Sequence, residues 1–99
     1  MPRLIEPSAA ALADFDGIYD HIAKCNPRAA AKVLGDLDAA IQRLASQPRM
    51  GRVFRYHRRR PRLLTHDDYL VFYRERPGVI ELVRVLHGKQ NIPDILDEL

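Results

Sequence analysis

The stretch YLVFYRERPGVIELVRVLH, residues 69–87, decides the fold. Tyr69 to Arg74 is rich in β-branched and aromatic residues, which fit a pleated, half-buried surface. Pro77-Gly78 marks a turn. Val79 to His87 then reads as a second strand. Plain alternation puts Val79, Glu81, Val83, Val85 and His87 on one face and Ile80, Leu82, Arg84 and Leu86 on the other. Both faces are mostly apolar, so this strand is expected to be central, with Glu81 or Arg84 near a rim. Gly88 ends it.

Working outward, Leu63 and Leu64 sit in an earlier strand, with His66-Asp67-Asp68 as the turn into Tyr69. The three strands form a meander. Upstream the period changes from two to about 3.6. Leu12, Phe15, Ile18, Tyr19 and Ile22 recur at helical spacing after Ser8, whose hydroxyl can cap the first turn. Asn26-Pro27 opens a second helix, since proline at the first helical position loses no hydrogen bond. Its stripe is Val33, Leu34, Leu37, Ile41 and Leu44, and Pro48 ends it. So short a link predicts an antiparallel helix hairpin. Arg3 to Glu6 reads as a short strand stopped by Pro7. Ile92 to Leu99 reads as a terminal helix with Ile92, Ile95, Leu96 and Leu99 along one side. The whole is an α+β domain spanning residues 1–99, with β-α-α-β-β-β order and the helices on one face of a small, mainly antiparallel sheet. The other face is expected to be polar, short or covered by a partner.

Ninety-nine residues fit one domain. The longest uncharged run, Pro7 to Ala13, is far too short to span a membrane. No apolar leader is visible at the N-terminus, and one cysteine cannot build a disulfide framework. A cytoplasmic location is the expectation. Cys25 reads as a small buried hydrophobe at a helix end. The four histidines show no metal-ligand spacing, and no cofactor is expected. Asp14, Asp16, Asp20, Asp36 and Asp38 read as solvated helix faces.

The net charge of +3 is unevenly spread. Residues 49–62 hold seven arginines and no acid, while the remainder of the chain is net acidic. This segment can bind nucleic-acid phosphates, dock an acidic protein surface, or serve as a solvated loop and edge strand whose charge prevents edge pairing. Only Phe54 and Tyr56 interrupt it with aromatic rings, so regular stacking between the arginines is not encoded.

Five pieces together resemble the ParE/RelE superfamily of type II toxin–antitoxin toxins. They are Ala11 to Ile22 (A-x-x-D-x-x-x-I-Y-D-x-I), Asn26-Pro27-x-Ala-Ala, Leu44-x-x-x-Pro48-x-x-Gly51-Arg52, Tyr69 to Arg74, and Val79 to Gly88. The last three are most similar to the ParE branch. The resemblance implies a growth inhibitor, of the kind that also serves plasmid stabilisation, neutralised by a cognate antitoxin. ParE-type toxins poison DNA gyrase, whereas RelE-type toxins cut mRNA on the ribosome. A shared fold does not choose between them. Operator DNA is expected to bind only through the antitoxin complex, and no membrane is involved.

An mRNA-cleaving site needs a base, an acid and a cation on the developing phosphorane. None of the three lysines, Lys24, Lys32 and Lys89, lies in the meander strands. Arg84 and His87 are the candidate catalytic pair if the chain is a ribonuclease, although residues three apart on a strand point to opposite faces. The favoured reading of His87 is a partly exposed strand-end histidine bonded to backbone. Arg52, Arg55, Arg58, Arg59, Arg60, Arg62, Tyr73 and Lys89 are the candidate antitoxin- or target-binding set. Tyr69, Phe72 and Tyr73 read as a base-stacking platform or as core. The absence of a Lys/Glu catalytic set leans toward a toxin that acts by binding gyrase. The alternatives are a ribosome-dependent endoribonuclease and a degenerate member that binds only its antitoxin.

Overall fold

The computed structural model describes residues 2–97. Its elements are β1 (Leu4–Pro7), α1 (Ala9–Ala23), α2 (Pro27–Gln42) with a closing 3-10 turn (Arg43–Ala45), β2 (Arg52–Val53), β3 (Arg62–His66), β4 (Tyr69–Arg76), β5 (Val79–His87) and α3 (Ile92–Leu96). The sheet order is β1-β5-β4-β3-β2. β1 runs parallel to β5, and every other pairing is antiparallel. This is the expected α+β architecture with one more strand, the two-residue β2. The expected terminal helix is formed from Ile92 to Leu96; Leu99, placed on the same stripe, lies outside the described residues.

Local chemistry sets the boundaries. Ser8 caps α1, its Oγ accepting from the Ala11 amide at 3.0 Å, and Asn26 caps α2 by accepting from Ala29 at 3.1 Å. The β3–β4 turn places Asp67 at φ 51, a left-handed conformation that aspartate tolerates. The β4–β5 turn combines Pro77 with Gly78 at φ 74, the pairing a type II turn uses. Cys25, expected to be buried, is exposed, because it lies in the turn after α1 has ended at Ala23.

Two apolar clusters flank the sheet. On the hairpin side Leu37, Ile41 and Leu44 pack on Val71, Tyr73, Ile80, Leu82 and Val85. On the other side Leu63, Phe72, Val83 and Leu86 pack with Leu96 of α3, and Phe54, Ile92 and Ile95 close over them. The second face is therefore not bare: beside the Glu81 carboxylate, paired with Arg74 and Arg76, it carries an apolar patch. The chain covers it with its own C-terminal helix and the ring of Phe54.

β5 is central, as expected, but its alternation breaks. Phe72 lies opposite Arg84 and Tyr73 opposite Leu82, so β5 carries one residue, Val83, with no counterpart on β4. Such a bulge shifts every later residue to the other face. Leu82 and Val85 consequently share the hairpin-side cluster, and Val83 joins Leu86 on the opposite one. The simple period-two assignment fails beyond Val83 for this reason.

The N-terminal segment seals the edge beside the bulge. β1 pairs with β5 only as far as Leu82. Beyond it the Ser8 amide donates to Leu82 O at 2.9 Å and the Ser8 hydroxyl to Val83 O at 2.9 Å. The Asp14 carboxylate then accepts from the Val85 amide at 2.9 Å. Side chains of the cap and of α1 thus continue the pairing that the strand itself abandons.

Candidate functional site

Residues 49–62 cross from the helix hairpin to β3 and form a fixed display. Its base is a clamp. The Tyr73 hydroxyl donates to Pro48 O at 2.8 Å and accepts from the Gly51 amide at 2.9 Å. The Arg62 guanidinium donates to Gly51 O at 2.8 Å. The loop neck closes where the Phe54 amide meets Pro61 O at 2.7 Å. Inside the loop the buried His57 accepts the Arg59 amide on Nδ1 at 3.1 Å, and its carbonyl accepts the Arg60 amide at 2.9 Å. Phe54 meets both Tyr56 and Phe72 edge-to-face.

The side chains sort accordingly. Phe54, His57 and Pro61 turn inward. Arg55, Tyr56, Arg58, Arg59 and Arg60 are exposed, with Tyr56 at 92%. Arg52 is exposed on the edge strand β2. Arg60 stands at φ 44, which lets the chain reverse towards Pro61. The outcome is a dense cationic surface carrying one exposed ring. Its arginines suit carboxylates and phosphates alike, because the guanidinium fork bonds either in bidentate fashion.

The sequence-derived set divides into three. Arg52, Arg55, Arg58, Arg59 and Arg60 come together on this surface, and Arg62 is half-buried at its base. Tyr73 does not belong to it: the residue is completely buried and its hydroxyl is spent on the clamp. Burial, and next to it the Gly51 amide acting in the opposite sense, leaves the Tyr73 phenol above its ordinary value. Phe72 and Tyr73 are core, and no stacking platform is formed by them. Lys89 lies elsewhere. Arg62 faces Tyr73 across β3 and β4, whereas His66 faces Tyr69, which in turn faces His87, so Lys89 and His87 sit at the far end of the meander.

Arg84 and His87 do not form one constellation. Arg84 forks onto Asp14, Nε to Oδ2 at 2.8 Å and one terminal nitrogen to Oδ1 at 2.7 Å, with both side chains largely buried. Asp14, expected on a solvated helix face, is the side-chain anchor between α1 and β5. His87 accepts the Lys89 amide on Nδ1 at 3.1 Å and packs edge-to-face on Tyr69, 5.4 Å between ring centres. The bond to backbone at the end of the strand is the plainer of the two readings of this residue.

Asp14 escaped the sequence reading because Asp16 and Asp20 stand on the same helix and only tertiary contact separates the three. The single available signal is its position between Ala11 and Ile18, on the side of α1 that turns to the sheet. Tyr69, His87 and Lys89 also line a groove of about 580 Å³ with α1. Among the described residues no helix is long and apolar enough to cross a membrane, and no group of three or more His, Cys, Asp or Glu side chains could hold a metal ion.

Comparisons with known proteins agree with this geometry. The family model described as ParE toxin of type II toxin-antitoxin system, parDE, matches residues 5–92. A Sinorhizobium fredii protein named "Putative toxin Y4kP" is 35% identical over 86 residues, covering 87% of this chain and 88% of that protein. Among solved structures, a chain of the chromosomal ParDE toxin–antitoxin system of P. aeruginosa superimposes with a TM-score of 0.74 at 23% identity, over 86% of this chain and 95% of that one. A chain of the RelBE2 toxin–antitoxin complex of Mycobacterium tuberculosis gives 0.61 at 22% identity, over 88% and 99%.

Proposed function

The chain belongs to the ParE toxin family of type II toxin–antitoxin systems, and we propose that it arrests growth by binding DNA gyrase in the cytoplasm and is neutralised by a cognate antitoxin. The observation that carries a binding mode of action is the arginine display. A loop whose inward residues are tied to the core holds its cations outward without folding cost at the moment of docking. Such a surface favours an acidic protein partner and speeds encounter with it. Capture of Arg84 by Asp14 supports binding over mRNA cleavage, because the cation of the candidate catalytic pair is already engaged.

The antitoxin reading has its own support. Leu12 and Tyr19 lie one above the other on α1 and are 51% and 42% exposed, and Leu4 on the edge strand is 72% exposed. Apolar side chains grouped along one exposed helix suit an amphipathic segment laid over the hairpin. An acidic flank of that segment would reach the arginines. Operator DNA would be bound through the antitoxin, not by this chain alone.

The test is a supercoiling assay with purified gyrase and the full chain. Accumulation of cleaved DNA that the co-expressed antitoxin abolishes is the expected result. Undiminished supercoiling at excess toxin overturns the gyrase reading.

A further inference from the structure

The groove between α1 and the far end of the meander is a second cationic site, separate from the arginine display and independent of the gyrase reading. Its α1 wall carries Gly17, Ile18 and His21, and its sheet wall carries Tyr69 and His87, with Lys89 beyond the end of β5. At about 580 Å³ it is the size of a small-molecule site, for which roughly 300–1,000 Å³ is usual.

The charges in it are unbalanced. Asp14 also lines the groove, but its carboxylate is consumed by Arg84 and the Val85 amide. Among the described residues neither Lys89 nor His21 has a side-chain hydrogen bond or ion pair. The bond from the Lys89 amide occupies His87 Nδ1, so the neutral ring carries its proton on Nε2 and is a donor there. Burial, followed by the nearby Asp68, holds the Tyr69 phenol above its ordinary value, and it too remains a donor. Between these polar groups Ile18 of α1 and Val85 of β5 supply apolar lining, together with the Tyr69 ring.

We propose that this groove binds a phosphate-bearing nucleotide, the phosphate held by Lys89 and the two imidazoles and the base lying against Ile18 and Tyr69. A compact anion joined to a flat ring matches one cluster of donors beside one apolar wall. An extended acidic peptide is better served by the open arginine surface at the other end of the sheet. Gly17 keeps the space clear: a Cβ built there meets nothing within 4 Å, so no packing demand explains a residue that disfavours helix interiors. Gly35 of α2 is equally open but does not line the groove, and it serves as the matched control.

The full chain, labelled with nitrogen-15, is titrated with AMP, adenosine, inorganic phosphate and a 5′-phosphorylated trinucleotide while amide shifts are followed. AMP is expected to move the amides of Gly17, His21, Tyr69 and His87 to Lys89, and adenosine to bind at least about tenfold more weakly, or about 1.4 kcal/mol. Stronger binding of the trinucleotide assigns the ligand to a strand end, and stronger binding of AMP assigns it to a free nucleotide; either supports the site. Gly17→Gln is expected to weaken AMP about tenfold or more, and Gly35→Gln to leave it unchanged. Lys89→Gln, at an exposed position, gives a second loss without touching the helix. No shifts at millimolar AMP, shifts confined to Arg55–Arg60, equal binding of adenosine, or an unaffected Gly17→Gln would each overturn the proposal.

Discussion

The Tyr73 hydroxyl occupies the place where a side chain at position 51 would begin. A Cβ built on Gly51 falls 2.6 Å from Tyr73 Oη and 2.8 Å from Leu63 O. The hydroxyl can move little, because it is tied to Pro48 as well as to the Gly51 amide. Leu63 belongs to a paired strand and cannot give way either. Gly51→Ala should therefore lower stability by about 1–3 kcal/mol, the usual range for overpacking. Urea denaturation reads this as a lower midpoint with unchanged slope; an unaltered midpoint would contradict it.

Tyr73→Phe keeps the ring and removes the clamp. Pro48 O and the Gly51 amide lose their partner in a buried setting, which costs about 1–3 kcal/mol. The same variant has a pH signature. The folded-state phenols of Tyr69 and Tyr73 are both raised, chiefly by burial. Above about pH 10 the unfolded chain loses these protons while the folded chain keeps them, so folding binds more protons. Stability is then full below about pH 10 and falls as the pH climbs through the folded-state values. Thermal melts between pH 8 and 11 should show this decline, and it should be shallower in Tyr73→Phe.

Asp14 and Asp16 are close in sequence and unlike in consequence. Asp14→Ala strips a largely buried guanidinium of its carboxylate and leaves the Val85 amide without an acceptor. Removing one member of such a pair costs about 3–5 kcal/mol when it is fully buried, and roughly 2–4 kcal/mol is expected at this residual exposure. Asp16 is exposed, and its replacement by alanine should stay within about 0.5 kcal/mol. Chemical denaturation of both variants separates them. Arg84→Ala should resemble Asp14→Ala, so any loss of toxicity in it has to be read beside its melting temperature.

Charge removal on the display should act on binding and not on folding. Arg55 and Arg59 are exposed, and their side chains take no part in the clamp. Arg55→Ala with Arg59→Ala should leave the midpoint within about 0.5 kcal/mol while slowing association with an acidic partner. The rate difference from the native chain should shrink as salt rises, since screening shortens the reach of surface charge. A salt-independent difference would place these residues outside the encounter surface.

Most of the fold was legible because local signals and global architecture agree. The Ser8 and Asn26 caps, the Pro77-Gly78 turn and the limits of β5 all sit where residue chemistry puts them. The misreadings share one origin, which is dependence on partners distant along the chain. The Val83 bulge is invisible to an alternation rule because strand β4 alone defines it. The Tyr73 docking assignment failed because a tyrosine on a strand carries no mark of which way it faces until the register is known. The burial of Asp14 depends on Arg84, seventy residues away. The arginine display was read correctly as a basic segment, but its inward residues Phe54, His57 and Pro61 become visible only against Phe72 and the sheet.

The pairing of β1 with β5 also orders events in time. Leu4 to Pro7 meet Val79 to Leu82, and Ser8 meets Val83 across a separation of 75 residues. During synthesis the first strand emerges early and its partner much later, while the helix hairpin needs only neighbours and can form at once. A chain interrupted before Val79 lacks the strand on which both β1 and β4 depend, so it has a hairpin without a sheet to cover. Synthesis of β5 is in this way the step that lets the sheet close, because it alone pairs with both β1 and β4.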